Sequence, residues 1–307
     1  MSDVDLVERL GDGIEELLYS HDSTGDVCRR LARAYPSARK VCIGDGYGMV
    51  YPADFIRQYH LPRTLLARSF ARARVAVRRV ASGPPLPPLR PDVAALVLPV
   101  DPSGRGLRGV ELVCCTAEDF RAAIRHCHHR AEALRGYMHD TLQRYLGRRL
   151  YVLLTEPYVQ AGFVRAEREA AMYLEIIRTN CESGSVVLVK PHPAEAGGVA
   201  ERLRDVASGE FEIVATSRRF QRYPIEIWTE LVRRCTVISA AYPQLSLKYA
   251  YGTDVVQPMD EAFISRWIEP GFRSWVRDGL RVYAEPLARL AQWDGSSILW
   301  SGGMGHG

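Results

Sequence analysis

Apolar positions along this chain gather in short runs, and segments of helical period separate the runs, a pattern of alternating strands and helices. Residues 16–19 read as a strand, 23–34 as a helix and 40–43 as a second strand. Pro36 and Ser37 punctuate the connection, so the chain opens on one β-α-β unit. Strands at 94–98 and 109–114 precede a long helix from 117 to about 146. A second alternation begins at 150–154, followed by a helix over 164–180, the strand from Val186, a helix at 199–206 and a strand at 211–214. A helix opened by Tyr223-Pro224-Ile225-Glu226 runs to 233. The strand 236–238 then ends at Ser239, and Pro243 starts a helix that reaches 251. Aromatic-rich helices near 263–276 and 286–293 close the pattern. The expected fold is α/β, with two Rossmann-type, doubly wound parallel lobes and a cleft between them. Residues 1–147 form the first lobe, which is short, 148–283 a nucleotide-binding lobe, and 284–307 a C-terminal helix and tail.

One run carries more chemistry than the others. Val186-Val187-Leu188-Val189 is a buried-strand pattern that ends in Lys190-Pro191-His192-Pro193, where two prolines forbid its continuation. An imidazole is thereby delivered to the carboxyl end of a strand, the edge where open α/β sheets bind ligands. Histidine there serves as a general acid or a phosphate ligand, because it titrates near neutrality and either ring nitrogen can donate. The strand at 40–43 likewise ends in Gly44-Asp45-Gly46-Tyr47-Gly48, a turn that exposes Asp45.

Composition narrows the class. Apolar content of 47% with 25% charged residues is that of a globular chain rather than a disordered or fibrous one. Only Lys40, Lys190 and Lys248 are lysines, so 37 of the 40 cations are arginine, which reads as coding bias and gives no nucleic-acid role at a net charge of +4. No stretch approaches the roughly 18 apolar residues of a membrane span. The acidic amino terminus, with Asp3, Asp5 and Glu8, predicts no signal peptide. Seven cysteines at irregular spacing predict reduced thiols in the cytoplasm. The run Arg125-His126-Cys127-His128-His129 looks metal-like, but consecutive helical residues diverge, and it is expected to be a solvated face. A helix over 61–80 carries Arg68, Arg72 and Arg79 at helical spacing, with Arg74 and Arg78 nearby. It reads either as a patch for a polyanionic acceptor or an anionic membrane surface, or as a solvated face.

Asp45, His192, Glu226 and Ser239 each stand at a strand end or a helix start. A two-lobed fold lets Asp45 face the other three, a set suited to group transfer from a donor with a phosphate leaving group. A carboxylate deprotonates the incoming hydroxyl, His192 donates to or steadies the phosphate, Ser239 at a helix N-terminus binds phosphate oxygens, and Glu226 accepts from ribose hydroxyls. Lys190, Pro193 and Thr155 complete the expected donor-side contacts. No Asp-x-Asp pair stands at a strand end to hold a metal, which points to a metal-independent reaction and no cofactor beyond the donor.

The Asp-Gly turn, Lys190-Pro191-His192-Pro193, Pro224-Ile225-Glu226 and the run from Ile238-Ser239 to Ser246-Leu247-Lys248-Tyr249-Ala250-Tyr251-Gly252 resemble bacterial polysialyltransferases and related CMP-sialic acid-dependent sialyltransferases. The resemblance spans about residues 16–252. It implies a GT-B fold and an inverting transfer of sialic acid from CMP-sialic acid to a glycan acceptor, in capsule or surface polysaccharide synthesis. It further implies a cytoplasmic enzyme, peripheral at the inner membrane face, alongside other capsule proteins. By the same resemblance Asp45 is the general base, His192 the general acid or phosphate ligand, Glu226 a cytidine ribose contact and Ser239 a phosphate contact; the charge pattern of the 61–80 helix, rather than the resemblance, offers Arg68, Arg72 and Arg79 for the acceptor. Three features depart from the family pattern. Its acidic pair is Gly44-Asp45 here, its double serine is Ser239-Ala240, and only one β-α unit precedes Asp45. A transferase using CMP-Kdo or another CMP- or CDP-activated donor fits the same motifs. A non-catalytic nucleotide-binding relic with a truncated acceptor lobe fits the short amino-terminal region.

Overall fold

In this computed structural model the described residues are 13–20, 26–44, 89–98, 110–193, 195, 197–239 and 244–291. Asp45, Arg68, Arg72 and Arg79 lie outside them, as do the 61–80 segment and residues 302–307. The described residues form an α/β protein with two parallel sheets, and they divide between Thr116 and Ala117 into two compact units.

The first unit contains β1 (Glu16–Ser20), α1 (Asp26–Ala34), β2 (Arg39–Gly44), β3 (Val93–Leu96) and β4 (Glu111–Cys114). All four strands are parallel, and their spatial order is their chain order. Cys42, Ala94 and Leu96 are buried on one face. Burial raises the pKa of the Tyr19 hydroxyl on that face, and Cys42, Asp92 and Cys28 of α1 reinforce the shift. On the opposite face Leu18, Ile43 and Val113 are exposed. Among the described residues the strand order of this sheet runs one way, and the segments that join β2 to β3 and β3 to β4 lie largely outside them.

The second unit runs through α2 (Ala117–Arg130), α3 (Glu132–Arg144), β5 (Leu150–Leu154), α4 (Ala166–Asn180), β6 (Val186–Lys190), α5 (Val199–Ala207), β7 (Glu212–Ala215) and α6 (Arg218–Gln221). A 3-10 turn (Ile225–Ile227) then leads into α7 (Thr229–Arg234), β8 (Thr236–Ser239), α8 (Gln244–Tyr251), β9 (Val255–Val256) and α9 (Glu261–Trp267). A second 3-10 turn (Pro270–Phe272) precedes α10 (Arg273–Ala291). The sheet order is β7-β6-β5-β8-β9, all parallel, so the winding starts at the centre with β5, runs out through β6 and β7, and reverses to β8 and β9.

Both faces of this sheet are covered. Tyr151, Leu153, Val187, Val189, Ile213 and Ile238 pack with α4, α5, α9 and α10. The alternate residues Val152, Leu154, Leu188 and Val237 pack with α2, α3, α7 and α8 around the fully buried Trp228. Two covered faces explain why the strands read as unbroken apolar runs rather than alternating ones. Full burial of each such side chain contributes about 1.5–3 kcal/mol.

Several elements differ from the sequence reading. The helix expected over 117–146 is two helices broken at Ala131 (φ −91°, ψ 54°). No glycine or proline marks the break. Arg135 stabilises it by donating through Nη1 to the carbonyls of His128, at 2.9 Å, and His129, oxygens that a continuing helix would otherwise use. Leu134 and Met138 of α3 are fully buried against the second sheet, so this helical pair belongs with the second unit, whereas a boundary at 147 leaves it with the first. At the other end, α10 continues as one helix from 273 to 291, through Pro286 and across position 284. The two-residue strand β9 was not anticipated, being too short for periodicity to register. A fragment beginning at Ala117 and ending at Ala291 is expected to unfold cooperatively in urea. One beginning at Arg148 exposes the sockets of Leu134 and Met138 and is expected to aggregate or to lose several kcal/mol, given about 2–5 kcal/mol for each large apolar side chain removed.

Candidate functional site

The reversal of strand order between β5 and β8 opens the sheet at its carboxyl edge, and ligands bind outside such switch points. Four of the sequence-selected residues stand on this edge. Thr155 follows β5, Lys190 ends β6, His192 comes two residues later, and Ser239 ends β8 in register with Leu154. Glu226 lies on the 3-10 turn that precedes α7.

The turn after β6 is organised by a residue that the sequence reading passed over. Glu195 Oε2 accepts from the His192 amide at 3.0 Å and from Thr155 Oγ1 at 2.5 Å, and the Glu195 amide donates to the His192 carbonyl at 2.9 Å. One carboxylate thus ties the Lys-Pro-His-Pro turn to the end of the neighbouring strand. Thr155, itself buried, spends its hydroxyl proton on this tie. Pro193 is exposed on the turn. Two glycines in the left-handed region, Gly197 (φ 86°) and Gly198 (φ 82°), then redirect the chain into α5. A pocket beside the turn is lined by Pro191, Gly198, Thr216, Arg218 and Gln221.

Lys190 is buried, with Nζ donating to the Gln221 carbonyl at 3.1 Å and lying 5.8 Å from the Trp228 ring centre. Burial pulls its pKa down to about 8, against the opposing pull of Glu226 and Glu156. His192 is half-buried, and burial together with the Lys190 charge holds its pKa below the ordinary value. At neutral pH it is a neutral imidazole, able to donate one hydrogen bond and accept another.

Glu156, one residue past Thr155, has its main chain fixed by the buried Tyr173. The Tyr173 hydroxyl accepts from the Glu156 amide at 2.8 Å and donates to the Glu156 carbonyl at 3.3 Å. Its side chain is partly buried, and burial followed by the charge of Glu195 pushes its pKa up to about 8, against the pull of Lys190. Burial likewise raises Glu195 to about 7, despite the bonds from Thr155 and His192.

Glu226 is held by helix α8. Its carboxylate accepts from Ser246 Oγ of α8 at 2.5 Å, and its carbonyl accepts from the Tyr251 hydroxyl. The α8 serine that meets Glu226 is therefore Ser246, while Ser239 is fully buried at the strand end. His128, in the run expected to be solvated, is partly buried, with Nδ1 3.1 Å from both the Ile227 carbonyl and Thr229 Oγ1. Its neighbours Arg125, His126, Cys127 and His129 are exposed. Among the described residues no group of three or more His, Cys, Asp or Glu side chains is arranged to hold a metal ion. No helix among them is long and apolar enough to cross a membrane.

The edge thus combines one lysine, a neutral imidazole and two carboxyls that retain protons near neutrality, a set suited to holding an anionic, hydroxyl-bearing ligand. Glu195 could have been found from its position three residues after His192, and Glu156 from its place directly after a strand. No known protein-family model matches the chain, and no curated protein matches it.

Because Glu156 and Glu195 keep protons in the folded state at pH values where the unfolded chain has released them, folding stability declines as pH rises from about 4.5 to about 8. Glu156→Gln removes one contributor. Urea denaturation at pH 5 and pH 8.5 should show a smaller fall for the variant than for wild type, by about 1–3 kcal/mol. An equal fall in both would place the Glu156 carboxyl in ordinary solvent.

Proposed function

We propose that the protein is a nucleotide-sugar transferase of GT-B type that transfers sialic acid from CMP-sialic acid to a glycan acceptor. The observation that carries this reading is the delivery of Lys190 and His192 by a fully buried parallel strand to the carboxyl edge, beside the reversal of strand order. A phosphate placed there meets the Lys190 ammonium and the His192 imidazole, and Glu226, whose charge acts on Lys190, is assigned to a ribose hydroxyl.

In this reaction the acceptor hydroxyl gives its proton to Asp45 and its oxygen forms a bond to the anomeric carbon. The bond from that carbon to the phosphate oxygen breaks, and CMP leaves with the electron pair. The negative charge that grows on the phosphate is met by Lys190 and by hydrogen bonding from His192, and each interaction strengthens as the bond breaks. An arriving phosphate also offsets the Lys190 charge that depresses the imidazole, so binding favours proton uptake by His192.

The strand order of the first unit favours a second reading, a nucleotide-binding protein that performs no transfer. That order shows no reversal among the described residues, and so no switch point there. The two readings separate on one assay. Purified protein with CMP-sialic acid should release CMP faster when an oligosialic acid acceptor is added. His192→Ala and Asp45→Asn should each lower that rate about 100-fold to 10,000-fold, with Asp45→Asn leaving CMP affinity nearly unchanged. CMP binding without acceptor-stimulated release would select the second reading. Stimulated release that survives both substitutions would remove these two residues from the mechanism.

A further inference from the structure

His128 makes contacts that the proposed reaction leaves unused. It stands in the last turn of α2, partly buried, while His126, Cys127 and His129 around it are exposed. Its Nδ1 lies 3.1 Å from the Ile227 carbonyl and 3.1 Å from Thr229 Oγ1. A carbonyl only accepts, so Nδ1 carries the proton and donates it to Ile227, with the Thr229 oxygen as a second acceptor. Those two residues flank Trp228 (φ −85°, ψ 45°), where the chain leaves the 3-10 turn and enters α7. One imidazole nitrogen therefore bridges the bend, and the other lies 4.0 Å from Glu230 Oε1 on the same helix.

The bend matters because of the residue that precedes it. Glu226 is the middle residue of the 3-10 turn, and α8 holds it by Ser246 Oγ, which donates to Oε1 at 2.5 Å, and by the Tyr251 hydroxyl, which donates to its carbonyl. Helices α2 and α8 are joined to each other by Phe120 stacked on Tyr249, with ring centres 6.0 Å apart. Ile124 of α2 packs in the same buried cluster as Ile225 and Ile227. The turn is thus pinned by α2 at its exit and by α8 at Glu226 itself. Ser246 takes Oε1, which leaves Oε2 for a ligand. A three-residue 3-10 turn has little stability of its own, so the direction in which that oxygen points depends on the pins.

We propose that His128 is a positioning residue for nucleotide recognition: it pins the turn that carries Glu226, so that the remaining carboxylate oxygen meets a ribose hydroxyl without first having to be ordered. The inference rests on the transferase reading above for the ribose, and on the fold alone for the pin. Removing the imidazole takes the donor from the Ile227 carbonyl and lets the Glu226 turn relax. The loss then falls on the hydroxyl contact, because Lys190 and His192 stand on β6 and the turn after it and do not depend on this bend.

Calorimetry with CMP and with 2′,3′-dideoxy-CMP, which keeps the base and the phosphate but lacks both hydroxyls, separates this role from a general loss of structure. His128→Ala is expected to weaken CMP binding about three- to tenfold, the worth of one hydrogen bond, and dideoxy-CMP binding by less than about twofold. His128→Asn, whose side-chain amide presents an N–H near the position of Nδ1, is expected to restore CMP affinity to within about twofold of wild type. On a Glu226→Ala background, His128→Ala is expected to add no further loss, since it acts through Glu226. Equal weakening of both nucleotides, unchanged CMP affinity in His128→Ala, or a full additional loss on the Glu226→Ala background would overturn the proposal and leave the nucleotide reading standing. Amide exchange at 224–228 without ligand gives a second readout, expected to be faster in His128→Ala than in wild type and restored in His128→Asn. If wild type binds neither nucleotide, the transferase reading falls and that exchange difference decides the pin: its presence upholds the pin, and its absence overturns it.

Discussion

A parallel strand covered on both faces has nowhere to place a polar side chain except at its ends. Val186, Val187, Leu188 and Val189 are each fully buried, two against the helices of one face and the rest against the other or the strand's own start, and the first ionisable side chain after them is Lys190. The same holds for β5, which yields Thr155 and Glu156, and for β8, which yields Ser239. Burial of the sheet and concentration of polar groups along its carboxyl edge are thus two results of one constraint. The reversal of strand order then leaves space at that edge, because helices depart to opposite faces on either side of it.

The electrostatics of the edge follow from that burial. Carboxyls set among apolar helices and beside one another keep their protons to higher pH, an enclosed ammonium gives its proton up at lower pH, and an imidazole beside it stays neutral. At neutral pH the edge carries much less net charge than its residues suggest. A phosphate bound as proposed would enter without displacing a fixed counter-ion, and the proton positions would adjust to it. Glu195 keeps this arrangement in shape, since its carboxylate and amide hold the His192 turn against the end of β5.

Much of the second sheet was legible in the sequence. Long apolar runs and proline punctuation located β5, β6 and β8, because strands buried on both faces are defined by composition alone, and the two prolines around His192 fixed where β6 stops. The helix break at Ala131 was not legible, since its cause is Arg135 reaching back to two carbonyls rather than a glycine or proline. Neither was the membership of α2 and α3 in the second unit, which depends on Leu134 and Met138 meeting residues distant in sequence. For the site, a strand-end histidine announces itself by its neighbours. Glu156 and Glu195 matter through partial burial and their influence on each other, and a serine in helix α8, Ser246 rather than the strand-end Ser239, engages Glu226. Those are properties of the folded chain, and a linear pattern carries them only as positions.

Nucleotide binding at the carboxyl edge of the second sheet, as proposed, is open to amide hydrogen exchange with and without saturating CMP. Slowed exchange is expected in peptides covering 155–158, 190–193 and 224–228, with no change at the opposite edge around 147–150. Protection confined to that opposite edge or to the first unit, or unchanged exchange at all of these peptides under saturating CMP, would contradict it.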